Sequence, residues 1–396
     1  SYTCHTPDEW LSVSTKLGSE PNFNNVAAQN IRISGQLWPS GIVKYKLNQT
    51  LSFNDIIEVK KAFDEYHTKT CIRFEPATED DQDYVSIEMD SELEGGLANV
   101  CKNQNGGYQF ARFGGESRNM ATMVHELAHS LCLGHEHQRR DRDNYLDFQN
   151  CANFPLKLSP DYYSAKGIYD YASQMHYPCN RCEGAPLWTS SHPGLSVLDV
   201  DTINALYDCQ GCHRHRWRPA LSLTNKEIGN MHHFDQFDTH GSPIFPCRTV
   251  IEGELIAGRY NHDAKSCTVS HNAQQHSMLT DVEILTVPGG FNGQCSVYKL
   301  VNLSEASVKT AVQVGTGFIF RNWKSYLAYA NVTSVNGVTG TAVGKVWVFD
   351  NNSFQNTAEL PFEGKGYNSP DGRVLSCVVD TDCMLKQLFL ERQQGK

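Results

Sequence analysis

Residues 123–145 read Met-Val-His-Glu-Leu-Ala-His-Ser-Leu-Cys-Leu-Gly-His-Glu-His-Gln-Arg-Arg-Asp-Arg-Asp-Asn-Tyr. Residues four apart on an α-helix lie about 40° from superposition, so His125 and His129 present two imidazoles to one side. Glu126 sits one step round, beside that pair and not forced onto the same ion. Two neutral imidazoles at this spacing hold Zn²⁺, and the intervening carboxylate acts as a base toward the attacking water. A helix continued to residue 135 would turn His135 away from His125. The third ligand therefore requires the helix to stop soon after His129 and the chain to fold back. With His135 delivered by that turn, zinc has three protein nitrogens and an open position, the pattern of catalytic sites. The alternative, a helix carrying solvated surface histidines, accounts for neither the glutamate nor the third histidine.

The stretch resembles the astacin family of metzincin zinc endopeptidases. His135 through Tyr145 looks like that family's extended signature, with Arg139 or Arg140 filling its first arginine position, followed by Arg142, Asp143 and Tyr145. Trp38-Pro-Ser-Gly41 resembles the opening of the family's catalytic domain, and Ser173-Gln-Met-His-Tyr177 its turn beneath the metal. The resemblance implies that Met175 forms an apolar floor under the histidines. It implies that Tyr177 is a phenolic ligand that swings between the metal and the reaction intermediate. It further implies that Glu136 meets a buried amino terminus made on activation, and that Cys71 pairs with Cys209. One position departs from the pattern: where the family has glycine, this chain has Cys132, with Gly134 two residues on. A non-glycine residue in a left-handed turn costs roughly 1–2 kcal/mol. Either a disulfide holds Cys132 there, with Cys151 the expected partner and Cys101 the alternative, or Gly134 takes over the turn.

The 396 residues suggest two or three domains. A formal net charge of −10 argues against a nucleic-acid partner. The one basic run, His213–Arg218, reads as a solvated linker. No apolar stretch approaches the roughly 18 residues of a membrane span. Fourteen cysteines and four N-x-S/T sequons, at Asn48, Asn302, Asn331 and Asn351, indicate a secreted, disulfide-bonded glycoprotein. Ser1 opens no signal peptide, so a leader is expected to have been removed. Cys179-x-x-Cys182 with Cys209-x-x-Cys212 offers a Cys₄ zinc knuckle as the alternative to disulfides.

Residues 1–27 have the place and size of an astacin pro-segment but lack its F-x-G-D tetrad; Cys4, His5, Asp8 or Glu20 can stand in, and a plain extension is the other reading. Residues 28–212 read as the protease domain: an α+β, two-subdomain metzincin with a twisted sheet and an active-site helix. A helix is expected over 52–67, strands over 70–74, 84–89 and 109–113, and the catalytic helix over about 117–131. The glycine pairs Gly95-Gly96 and Gly106-Gly107 read as loop punctuation. After a linker at 213–224, residues 225–396 read as an all-β domain. Residues 226–288 resemble one repeat of the tandem β modules of mannose-binding invertebrate lectins, which implies glycan contacts by Asp238 and Arg259. The expected function is a secreted zinc endopeptidase acting on extracellular proteins, made as a latent proenzyme. The alternative is a glycan- or matrix-binding protein whose β module carries the main role.

Overall fold

The structure, a computed structural model, describes residues 36–139, 141–145, 167–177, 194–229, 231, 233–234, 236–287, 296–316, 323–349 and 353–379. The chain forms two compact units, Ser1–Cys209 and Gln210–Lys396.

In the first unit a five-stranded sheet is built from β1 (Ile42–Leu47), β2 (Arg73–Pro76), β3 (Tyr84–Met89), β4 (Gly95–Ala98) and β5 (Tyr108–Gly114). The order is β2-β1-β3-β5-β4, parallel except for β4, which runs antiparallel to β5 along the edge. Helix α1 (Phe53–Lys69) starts at a reciprocal cap, Ser52 accepting from the Asp55 amide and Asp55 from the Ser52 amide. Its apolar residues Val59, Phe63 and Tyr66 pack on the sheet's Val43, Phe74, Val85 and Phe113. The Tyr66 hydroxyl donates to the Val124 carbonyl at 2.7 Å and so joins α1 to α2 (Met120–Ser130). A third helix, α3 (Val197–Leu206), starts at a second reciprocal cap between Ser196 and Asp199. Cys209, just beyond it, is bonded to Cys71 at the end of α1.

Three local expectations shift. The strand expected at 70–74 begins only at Arg73, because α1 runs on to Lys69 and Thr70 closes it with its amide on the Tyr66 carbonyl. Helix α2 starts at Met120, where the Asn119 side chain caps the Thr122 amide. Gly95 and Gly96 are not loop punctuation; they form the first half of strand β4.

The second unit is antiparallel β throughout its sheet. Its strands are β6 (Arg216–Pro219), β7 (Pro246–Ile251), β8 (Glu254–Asn261), β9 (Ser266–His271), β10 (Gln274–Met278), β11 (Glu283–Thr286), β12 (Ser296–Asn302), β13 (Gln313–Thr316), β14 (Lys324–Thr333), β15 (Thr339–Val348), β16 (Ala358–Phe362), β17 (Lys365–Ser369) and β18 (Arg373–Val379). Two four-strand meanders, β7 to β10 and β14 to β17, meet where β10 pairs with β17. Disulfides Cys247–Cys267 and Cys212–Cys377 brace this unit. The basic run is not a solvated linker. Arg216–Pro219 is strand β6, paired with β11, and Arg214 and Arg216 are buried. The Arg216 guanidinium donates to the His213 and His215 carbonyls, so its charge is solvated by backbone instead of water. Cys209 and Cys212 are both in disulfides, which removes them from a zinc knuckle. The expectations for Cys4, His5, Asp8, Glu20, Cys151, Cys179, Cys182 and Asn351 lie outside the described residues, as does that for Arg140.

Candidate active site

Helix α2 carries His125, Glu126 and His129 in its second half. The helix stops at Ser130 and the chain reverses at Cys132, whose φ is 78°. The left-handed residue is thus Cys132, bonded to Cys101 and not to Cys151. The reversal brings His135 onto the other two imidazoles. Its Nε2 lies 3.1 Å from that of His125 and 3.2 Å from that of His129.

The tautomers follow from the other ring nitrogens. Nδ1 of His125 lies 2.8 Å from the Gln174 carbonyl, and Nδ1 of His129 lies 2.8 Å from the Leu133 carbonyl. A carbonyl only accepts, so each Nδ1 carries the proton. Nδ1 of His135 likewise meets Oε1 of Gln138 at 2.9 Å. Three bare Nε2 lone pairs therefore point at one spot, and they repel one another unless a cation lies between them. Ligands about 2.0–2.1 Å from a tetrahedral zinc stand about 3.3 Å apart. The two separations from His135 lie near that value, the three ligand atoms fall within 4.8 Å of one another, and the donor set of neutral imidazoles suits the ion. Burial also keeps the rings neutral: burial first, then His135, hold His125 down to about 3, and burial lowers His129 and His135.

Glu126 is 4% exposed, and burial pushes its carboxyl up to about 8. Its carboxylate lies hard against β4. A Cβ on Gly96 would stand 2.6 Å from Cδ and Cγ of Glu126, and closer still to Oε1. Gly96 is thus a position the site requires, although a glycine pair reads as a turn in sequence.

The turn Ser173–Tyr177 closes the site from the other side. Met175 is buried, and its carbonyl accepts from the Glu136 amide at 3.0 Å. Tyr177 lies beside the triad, its ring centroid 4.8 Å from that of His135 and 6.3 Å from that of His125; its amide donates to Nδ1 of His137 at 3.2 Å. The turn is pinned by Asp199, a residue that sequence reasoning does not single out. The Ser173 hydroxyl donates to Oδ1 of Asp199 at 2.6 Å, and the Gln174 amide to Oδ2 at 2.8 Å. Because the Gln174 carbonyl orients His125, Asp199 reaches the histidine cluster through one intermediary. The cap spacing of Asp199 is visible in sequence; its partner across 25 residues is not.

Glu136 is engaged within the described fold: it accepts from Arg139 at 2.7 Å and from the Asp170 amide at 2.9 Å. Arg139, one of the two candidates for the signature's arginine position, also pairs with Asp141 and donates to the carbonyls of Gly167 and Ile168. This clamp holds the segment after His135 against 167–170. The amino-terminal partner expected for Glu136 lies outside the described residues.

In the second unit Asp238 and Arg259 do come together, as an ion pair at 2.5 Å. Asp238 Oδ1 also accepts from the amides of His240 and Ser242 at 2.9 and 2.8 Å. The guanidinium is partly exposed.

A family model described as Astacin, a peptidase family, matches residues 30–188, and a model of the DM9 repeat matches residues 238–342. Among curated proteins, zinc metalloproteinase nas-14 of Caenorhabditis elegans is 30% identical over 194 residues, 44% of this chain and 38% of that protein. Zinc metalloproteinase nas-4 of the same nematode is 32% identical over 228 residues, 52% of this chain and 67% of that protein. A solved structure, the hatching-enzyme zinc-protease high choriolytic enzyme 1 of Oryzias latipes (medaka fish), aligns at a TM-score of 0.38 and 24% identity, over 44% of this chain and 94% of that one. The chain spans 38%, 44% and 58% of the length of the first three curated relatives. No helix among the described residues is long and apolar enough to cross a membrane. With the histidine triad, the glutamate and the methionine turn assembled at one place, the chain belongs to the astacin family of peptidases.

Proposed function

We propose that the chain is a zinc endopeptidase that hydrolyses peptide bonds of extracellular proteins, with His125, His129 and His135 as the zinc ligands. The observation that carries this reading is the convergence of three unprotonated Nε2 atoms, each fixed by an acceptor on its Nδ1, beside a buried carboxylate. Zinc, when bound, supplies Lewis-acid chemistry: it polarises the scissile carbonyl and lowers the pKa of water toward roughly 7. Glu126 takes the proton of the attacking water and returns it to the leaving amine, base and acid in turn. Tyr177, beside His135, donates a hydrogen bond to the oxyanion as charge develops there. Met175 and Asp199 hold the floor and the turn.

We assign residues 1–27 the role of a pro-segment whose removal near residue 27 raises activity, in a secreted glycoprotein. The second unit takes a glycan or matrix ligand through Asp238 and Arg259. The support is their juxtaposition: an acidic acceptor and a partly exposed planar cationic donor lie side by side as an ion pair. The test of the main reading is zinc stoichiometry and casein hydrolysis before and after chelation. One zinc per chain, activity abolished by a chelator and restored by zinc is the expected result. Hydrolysis that survives complete removal of metal would overturn it.

A further inference from the structure

The turn between His129 and His135 is made by a residue poorly suited to it. Cys132 has φ 78° and Cys101, its disulfide partner, φ 62°. An L residue with a Cβ rarely adopts this conformation, whereas glycine enters it freely. Both cysteines are moored to the zinc-binding helix: the amides of Cys101 and of Cys132 each donate to the His129 carbonyl at 2.9 Å. Cys101 is fixed at its far side by the buried Gln109 of β5, whose Nε2 donates to the Cys101 carbonyl. The residue after Cys132 supplies the carbonyl that orients His129, and His135 follows two positions later. A change in the backbone of residue 132 therefore displaces one ligand and the support of another.

We propose that the Cys101–Cys132 disulfide is a positioning element of the zinc site. It ties residue 132 to β5 and holds the left-handed turn that glycine would make unaided, so zinc affinity depends on the bridge unless position 132 is glycine. This rests on the reading of the triad as a zinc site. Its distinct content is that the bridge acts on the metal through turn geometry and not only through the general constraint a cross-link places on the unfolded chain.

The two effects separate in a pair of variants that both lack the bridge. Zinc dissociation constants are measured on the full chain by competition with a chromogenic chelator, alongside thermal unfolding of the metal-free proteins. Cys101→Ala/Cys132→Ala leaves a non-glycine residue in the turn and is expected to bind zinc about 5–30-fold more weakly than the parent chain. Cys101→Ala/Cys132→Gly is expected to bind within about twofold of it, even though both variants lose thermal stability together. Alanine binding as tightly as the parent, or glycine binding as weakly as alanine, would overturn the proposal. Where the alanine pair does not fold, Cys101→Ala/Cys132→Asn replaces it, because asparagine enters the left-handed region more readily. Asparagine binding zinc more weakly than the glycine variant supports the proposal, and binding as tight or tighter contradicts it. A parent chain that binds no zinc would instead defeat the metal assignment itself.

Discussion

Replacing Gly96 with alanine adds one methyl group to β4 and aims it at Glu126. The new Cβ would stand 2.6 Å from both Cδ and Cγ of that glutamate, and nearer still to Oε1. Ordinary contact between such atoms is about 3.5 Å, so the carboxylate must retreat by about 1 Å or more. Glu126 is packed on α2 and cannot shed the clash into solvent. A displacement of about 1 Å at a reacting group costs about 10²-fold, and loss of a general base costs about 10²–10⁴-fold. We therefore expect Gly96→Ala to lower kcat by about 10²-fold or more. The histidines approach the metal spot from other residues, so zinc content is expected to stay at the parent value. The assay is kcat and KM on a fluorogenic peptide together with zinc stoichiometry by mass spectrometry. A zinc-replete Gly96→Ala enzyme with a kcat close to the parent value would refute the reasoning.

Other consequences follow from named contacts. Tyr177→Phe is expected to keep zinc and to lower kcat more than it changes KM, the mark of an interaction made in the transition state; a rise in KM alone would make Tyr177 a substrate-binding residue. Asp199→Ala leaves the Ser173 hydroxyl and the Gln174 amide without their acceptor, at about 1–3 kcal/mol each, and loosens the carbonyl that orients His125. Lower stability in urea and zinc affinity weaker by about 10–100-fold are expected; unchanged zinc affinity would show that the turn does not depend on Asp199. In the second unit, burial first and then Arg216 and His213 hold His215 down to about 3. Its folded pKa lies below the unfolded value, so stability present at pH 7 is lost as pH falls below about 6.5, down to the folded pKa. Because part of the His215 side chain reaches solvent, about 1–2 kcal/mol at pH 5 is the expected loss. Thermal unfolding of the chain and of His215→Gln at pH 7 and pH 5 measures it, and an equal loss in both would remove His215 as the cause.

The convergence of His125, His129 and His135 was legible in sequence because one helix sets the spacing of two and a forced reversal delivers the third. Strands β3 and β5, α1 and the all-β second unit followed from periodicity and capping residues, whereas strand β4 did not. What stayed hidden depended on partners distant in sequence. Asp199 looks like an ordinary helix cap, and nothing local shows that it also holds Ser173 and Gln174. Gly96 looks like a turn because the neighbour packed against it, Glu126, is far along the chain. Cys151 was the expected partner of Cys132 with Cys101 as the alternative, and the fold brings Cys101 alongside through β4 and β5. The arginines of β6 mask a strand, since sequence offers no view of the carbonyls that solvate Arg216.

Whether Glu126 moves the proton, beside the proposed three-histidine zinc site, is tested most directly by casein hydrolysis with zinc-loaded Glu126→Gln. Zinc content is determined on the same sample. An amide keeps the shape of the side chain and cannot take a proton from water at neutral pH. One zinc per chain and activity lower by about 10²–10⁴-fold are the expected result. Full zinc occupancy with parent-like hydrolysis would contradict the role given to Glu126.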